Sequence, residues 1–290
     1  MTQSSSQPNY SITTLSSLLN MSSKRIVFIT GANTGIGLET IKFLLQSSKP
    51  YHVILGARSA EKGEEAIAQL KKEYSSTQSS LEFLEIDVTS DDAIQSAFDT
   101  ISKKHGLIDV LVNNAGATFD GFVVSRPDDI ASVREAFNKA YDVNTSSAHV
   151  MTHVFAPLLL KSSDPRLLFV TSGLSNLNDM AEHGLMPHLG KVTTPAGWPK
   201  NPTPMGYRSS KVALNMVMLS WHWLFEEDGV KVWCISPGFL ATGLGGNPEV
   251  LKKMGAGEPS QGGELIKKVI EGERDADVGK IVGQNGIQTW

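Results

Sequence analysis

The chain has one cysteine in 290 residues, Cys234. A lone thiol cannot close an internal disulfide, so the framework of a small secreted domain is excluded and a reducing compartment is allowed. Cys234 lies in the apolar run Val232–Ser236 and is expected to be a buried core thiol. Neither sign of charge is in large excess: 26 Lys and Arg stand against 30 Asp and Glu, interspersed, for a net charge of −4. The basic stripe that a nucleic-acid partner needs is therefore missing. No apolar run reaches the ~18 residues of a membrane span; the longest candidate, Val212–Phe225, is broken by Asn215, Ser220 and His222. The segment 1–23 has no basic residue and no apolar core of the secretory kind, so it is expected to be a disordered tail and the compartment the cytoplasm. His183 and His188 have no cysteine or carboxylate cluster at ligand spacing around them, so no metal site is expected.

Hydrophobic residues make up 40% of the chain and glycines number 26, which fits an α/β protein with a sizeable core. Short β-branched runs at Arg25–Thr30, His52–Gly56, Leu81–Ile86, Val110–Asn113, Leu167–Thr171, Lys231–Ser236 and Gly279–Gly283 read as strands. Between them, helical spacing runs over Gly35–Gln46, Ser59–Tyr74, Asp91–His105, a long region Asp128–Lys161 with Pro157 near a bend or end, Tyr207–Glu226 and Gln261–Glu271. This alternation predicts one α/β domain over 24–290, a doubly wound parallel sheet. The Pro- and Gly-rich stretch 174–205 is too long for a simple connection and is expected to be a lid or substrate-binding insertion. Met205, Met216 and Met218 are expected to pack around the helix that follows it.

Two local patterns carry chemistry. Thr30–Gly37, TGANTGIG, follows a strand and opens a helix, so Gly31 would allow a tight turn while Gly35 and Gly37 would let a pyrophosphate reach the backbone at the helix N-terminus. An ordinary glycine-rich turn would contain the same residues. About 20 residues on, where dinucleotide folds choose their cofactor, the chain offers no carboxylate for a ribose hydroxyl but does offer Arg58, whose planar fork suits a 2′-phosphate. That argues for NADP(H) over NAD(H). The second pattern is Tyr207 and Lys211 in YRSSK, where a spacing of four puts phenol and ammonium on one helical face. A phenol of pKa near ~10 needs a cation to lower it before it serves acid–base chemistry at neutral pH.

TGANTGIG, Asp87, Asn113–Gly116 (NNAG), Asn144, Ser172, YRSSK and Pro237-Gly238 occur in one order, and in that order the chain resembles the short-chain dehydrogenase/reductase family from Lys24 to its end. The resemblance implies a Rossmann fold with a seven-stranded sheet and a nicotinamide cofactor. By it, Gly31, Asn33, Thr34, Gly35, Ile36 and Gly37 would hold the cofactor, with Asp87 and Val88 beside the adenine. Asn114, Ala115 and Gly116 would close over it, and Pro237, Gly238 and Thr242 would surround the nicotinamide. Tyr207 would be the general acid in reduction, and Lys211 its cationic partner and a ligand of the ribose. Ser172 would orient the substrate carbonyl, with Thr171 and Ser175 as alternatives, and Asn144 would hold a proton-relaying water. These roles agree with the chemistry, since hydride delivery to a carbonyl leaves an alkoxide that needs a proton and a hydrogen-bond donor.

The insertion, GARS at Gly56–Ser59 and the terminal Trp290 resemble the carbonyl reductase branch, which favours a monomer over a homo-oligomer. Thr34 stands where some of those reductases have a phosphate-contacting lysine, so NAD(H) stays open as a second cofactor. His188, Trp198 and Phe239 are the candidate substrate residues, on the expectation of an apolar pocket for a small-molecule carbonyl or alcohol; Trp198 and Phe239 could equally pack the lid. The reading is an NADPH-dependent carbonyl reductase. Its alternatives are a pathway-specific biosynthetic ketoreductase or alcohol dehydrogenase using the same residues, and a cofactor-sensing protein without catalysis.

Overall fold

The computed structural model describes residues 24–121, 129–185, 195–198, 200 and 203–290. The expected tail 1–23 and part of the insertion, His188 included, lie outside the described residues. The strands are β1 (Arg25–Thr30), β2 (Tyr51–Ala57), β3 (Ser80–Glu85), β4 (Val110–Asn113), β5 (Arg166–Val170), β6 (Lys231–Ser236), β7 (Ile281–Gly283) and β8 (Gly286–Gln288). They form one sheet in the order β3-β2-β1-β4-β5-β6-β7-β8. The first seven run parallel, as expected. The eighth is a correction to the seven-stranded expectation: β8 turns back antiparallel on β7. It is three residues long, too short for a periodic pattern, although Asn285-Gly286 at its start is a hairpin-turn signal.

The helices are α1 (Gly35–Leu45), α2 (Ala60–Glu73), α3 (Asp91–Lys104), α4 (Ile130–Tyr141), α5 (Ser147–Leu159), α6 (Leu177–His183), α7 (Met205–Leu224), α8 (Pro248–Lys253) and α9 (Pro259–Ile270). Alternate strand residues face opposite sides of the sheet, so two cores form. Val27, Ile29, Val53 and Leu55 pack against Ile41, Leu44, Ile67, Leu70, Ile266 and Val269 from α1, α2 and α9. Phe28, Ile54, Leu111 and Phe169 pack against Ile94, Ile101, Phe155, Leu214 and Met218 from α3, α5 and α7. Cys234 is buried in the second core, as expected. Of the three methionines only Met218 packs as expected; Met205 and Met216 are exposed, because they sit on the solvent side of α7.

The long helical region is not continuous. A π-helical turn, Asp142–Ser146, separates α4 from α5, and Pro157 falls in the last turn of α5. No helix among the described residues is long and apolar enough to cross a membrane.

Candidate active site

The C-terminal strand ends converge on one side of the sheet, where open α/β folds bind ligands. At the end of β1, Gly31 and Gly35 have φ of 62° and 58°, a region that side chains strain to enter. A Cβ on Gly31 would lie 2.9 Å from the Cα of Ala115, and one on Gly37 would lie 2.6 Å from Asn114 Nδ2. The two turns are pinned together there. Asn114 Nδ2 donates to the carbonyls of Thr30 (2.8 Å) and Gly31 (3.0 Å), while the backbone N–H groups of Asn114 and Ala115 donate to Thr30 Oγ1. Asn114 thus acts on the glycine turn itself. Thr34 caps α1 in an extended conformation without a side-chain hydrogen bond, and the first turn holds no acidic residue. Its orphan N–H groups therefore suit an anion, and Asn33 and Ile36 lie in the same turn.

Arg58 leaves β2 exposed to solvent. Across the same edge, Asp87 Oδ1 accepts from Thr89 N (3.0 Å) and Thr89 Oγ1 (2.8 Å). These bonds hold the Asp87 carboxyl below its usual pKa, with a smaller push from Arg58. Val88 is half-buried beside it.

Tyr207 and Lys211 lie one turn apart at the start of α7, and Lys211 Nζ is 5.8 Å from the centroid of the Tyr207 ring. Lys211 is only 3% exposed and donates to the carbonyl of Val170 at 2.8 Å. Burial lowers its pKa to about 8, with Cys234 acting weakly the other way. Tyr207 differs from expectation. Burial raises the phenol's pKa, and the nearby Ser172 hydroxyl only partly opposes this. Desolvation of a phenolate outweighs a lysine that is itself buried and easily discharged.

The β5 exit separates the three candidate hydroxyls. Thr171 Oγ1 donates to Asn215 Oδ1 at 2.6 Å and sits 3.2 Å from Ser175 Oγ, and Ser175 Oγ donates to the carbonyl of Ser172. Thr171 and Ser175 are spent inside, leaving Ser172 as the half-buried hydroxyl that acts on Tyr207. The C-terminus fastens this loop: Gln288 Nε2 donates to the carbonyl of Ser172, Asn176 Nδ2 to Thr289 Oγ1, and Asn178 N to the carbonyl of Trp290.

Asn144, 1% exposed, sits in the π-helical turn. Its Nδ2 donates to the Ala117 carbonyl (2.9 Å) and to Ser210 Oγ (3.0 Å), and its Oδ1 accepts from Ala117 N (2.9 Å). Both amide hydrogens are used, so this side chain joins the NNAG loop to α7. Gly116 fits between, since a Cβ there would lie 3.1 Å from Asn144 Oδ1 and 3.4 Å from Lys211 Nζ.

Asp120 has no signature in the sequence motifs. Its carboxylate accepts from the backbone N–H of Gly206 (2.8 Å) and of Tyr207 (3.0 Å), capping the helix that carries the tyrosine. The available signal is that α7 starts after Pro204, which supplies no side-chain cap, so its orphan donors need a partner from elsewhere. Asp120→Ala is expected to cost about 1–2 kcal/mol of stability, the usual range for a lost cap, as read by thermal melting. An unchanged melting temperature would refute the cap.

After β6, Pro237 is buried, Gly238 is exposed at φ 96°, and Thr242 Cγ2 would lie 3.7 Å from a Cβ on Gly35, bringing this loop onto the glycine turn. Phe239 is 43% exposed and Trp198 85% exposed. A cleft of about 350 Å³ lies between α2 and β3 against Leu70, Tyr74 and Ser80, away from these residues.

A family model described as short chain dehydrogenase matches residues 25–182. The short-chain dehydrogenase/reductase tropE of Talaromyces stipitatus is 46% identical over 275 residues, covering 92% of this chain and 97% of that protein. The short-chain dehydrogenase/reductase eupG of a Phoma species is 41% identical over 278 residues, covering 92% and 98%. Among solved structures, the NADPH-bound carbonyl reductase from chicken fatty liver aligns with a TM-score of 0.73 at 22% identity, over 92% of this chain and 99% of that one, a likeness of fold.

Proposed function

This chain belongs to the short-chain dehydrogenase/reductase family, and on that premise we propose that it is an NADP(H)-dependent enzyme reducing a ketone or aldehyde to an alcohol. The observation that carries the reading is the half-buried Tyr207 at the start of α7, one helical turn from the buried Lys211, whose ammonium lies 5.8 Å from the centroid of its ring. The side-chain-free turn at Gly31, Gly35 and Gly37 and the uncapped start of α1 fit a dinucleotide. When bound, the reduced nicotinamide supplies the hydride.

The protein's own part is positional and protic. Tyr207 gives its proton to the substrate oxygen as negative charge develops there, and the Ser172 hydroxyl donates to the same atom. Lys211, anchored on Val170, supplies positive charge beside the phenol and a donor toward the ribose. Asn144 and Asp120 set the positions of the loop and of α7. Asp87, Val88, Ala115, Gly116, Pro237, Gly238 and Thr242 line the remainder of the cofactor's bed, and Phe239 is the described candidate on the substrate side. In this reading residues 24–290 work as one catalytic domain, with 174–205 as the cover over Tyr207. The NADPH bound by the chicken carbonyl reductase supports the cofactor assignment, as does Arg58.

The test is loss of NADPH absorbance with a panel of ketones and aldehydes. Tight NADPH binding with no turnover on any carbonyl would leave a cofactor sensor instead. Arg58→Asp is expected to weaken NADPH binding roughly 10- to 100-fold, the worth of a charge-assisted hydrogen bond, and NADH binding only slightly. Equal losses for both cofactors would remove Arg58 from the 2′-phosphate.

A further inference from the structure

The opposite ends of the strands hold a second cluster. His52 near the start of β2, Glu82 on β3 and His105 just after α3 converge on the sheet face that α3 covers. His52 Nε2 is 3.2 Å from Glu82 Oε2, and His105 Nε2 is 3.3 Å from Glu82 Oε1. One ligand atom from each residue lies within 4.8 Å of the others. Zinc binds nitrogen and oxygen at ~2.0–2.2 Å, so ligand atoms around a tetrahedral ion stand about 3.3–3.5 Å apart; each histidine nitrogen already stands close to that distance from one oxygen of the carboxylate, His52 from Oε2 and His105 from Oε1. The side chains are 19%, 11% and 8% exposed in the order His52, Glu82, His105, so little rotamer freedom remains to be lost on binding.

The outer contacts suit an ion too. Ser80 Oγ lies 2.8 Å from His52 Nδ1 and fixes the ring with Nε2 turned to the cluster, the arrangement that holds metal-bound histidines in place. The competing group is Lys104, whose ammonium bonds Glu82 Oε2 but whose side chain is 58% exposed and free to swing outward. A mixed imidazole and carboxylate set disfavours magnesium and calcium, which take oxygen, and suits zinc-like ions.

We propose that His52, Glu82 and His105 form a site for a divalent transition metal of the zinc type, with water as fourth ligand, tying the β2–β3 edge to the end of α3. The site is independent of the catalytic reading. Its ligands, separated by 30 and 23 residues in the chain, lie outside the local spacing by which His183 and His188 are weighed.

The experiment titrates tag-free, chelator-stripped protein with Co²⁺ and then Zn²⁺. A single equivalent of Co²⁺ with the strong visible bands of a tetrahedral site, displaced by Zn²⁺, is expected. Glu82→Gln and His105→Gln should weaken binding by more than about 100-fold, and Ser80→Ala by about 10-fold, the scale of losing an outer partner. Lys104→Met should tighten it. His153→Ala should change nothing; it tests the exposed histidines His149 and His153 of α5 as an adventitious site. Melting curves in chelator identify variants that fail to fold, in which case the affinities of Ser80→Ala and Lys104→Met decide the matter. No stoichiometric uptake, unchanged affinity in the variants that fold, or loss of uptake in His153→Ala overturns the site.

Discussion

Tyr207→Phe is expected to lower kcat by about 10²- to 10⁴-fold, the contribution of a positioned general acid, while NADPH affinity stays within a few-fold of the parent. The substitution removes one oxygen and keeps the ring. The backbone N–H of Tyr207 still donates to Asp120, so the helix start is retained. Burial raises the phenol's pKa, so the group is proton-loaded at neutral pH, the form that reduction needs. Oxidation of an alcohol needs the phenolate and should be the slower direction at pH 7. Steady-state turnover and NADPH fluorescence titration measure the two halves of the prediction. Activity within a few-fold of the parent would mean that another group protonates the product.

Lys211→Met is expected to abolish most turnover and at the same time to stabilise the fold at neutral pH. Burial lowers the Lys211 pKa from 10.5 to about 8, which corresponds to about 3 kcal/mol charged against folding. Between these two values the unfolded chain binds more protons than the folded one, so stability rises with pH there. The penalty is complete below pH 8 and gone above about 10.5. Methionine avoids it but leaves the Val170 carbonyl without its donor, at a cost of about 1–2 kcal/mol. The net gain at pH 7 is about 1–2 kcal/mol, or a few degrees in Tm, and it should shrink to nothing or reverse by pH 10.5. A variant that melts lower than the parent at pH 7 would show that desolvation does not dominate at this site. The prediction describes a site held at the expense of stability, as functional groups in low-dielectric surroundings commonly are.

Much of the framework is local and was legible as such. β1, β4 and β6 have the bounds that their apolar runs predict, since a buried parallel strand needs little beyond a β-branched run and a breaker. The misses have equally definite reasons. β8 is too short to carry a period, and α6 lies in a stretch whose prolines and glycines read as loop. The π-helical turn inserts into an otherwise uniform helical pattern, and Asn144 at its centre stands out in the sequence only as a poor helix former. Thr171, Ser172 and Ser175 could not be separated from the chain alone, because their roles depend on Asn215, 40 residues from Ser175.

The sequence by itself determined that a glycine turn at Gly31, Gly35 and Gly37 joins β1 to α1, that Tyr207 and Lys211 share a helical face, and that strands and helices alternate into a parallel sheet. Each of these follows from the backbone freedom or repeat of a few consecutive residues. Only the tertiary structure decided that Asp120 caps the tyrosine helix, that burial sets the proton affinities of Tyr207 and Lys211, and that His52, Glu82 and His105 meet. Burial and long-range contact exist only after the sheet has closed, and no local pattern encodes the desolvation that then governs the charges.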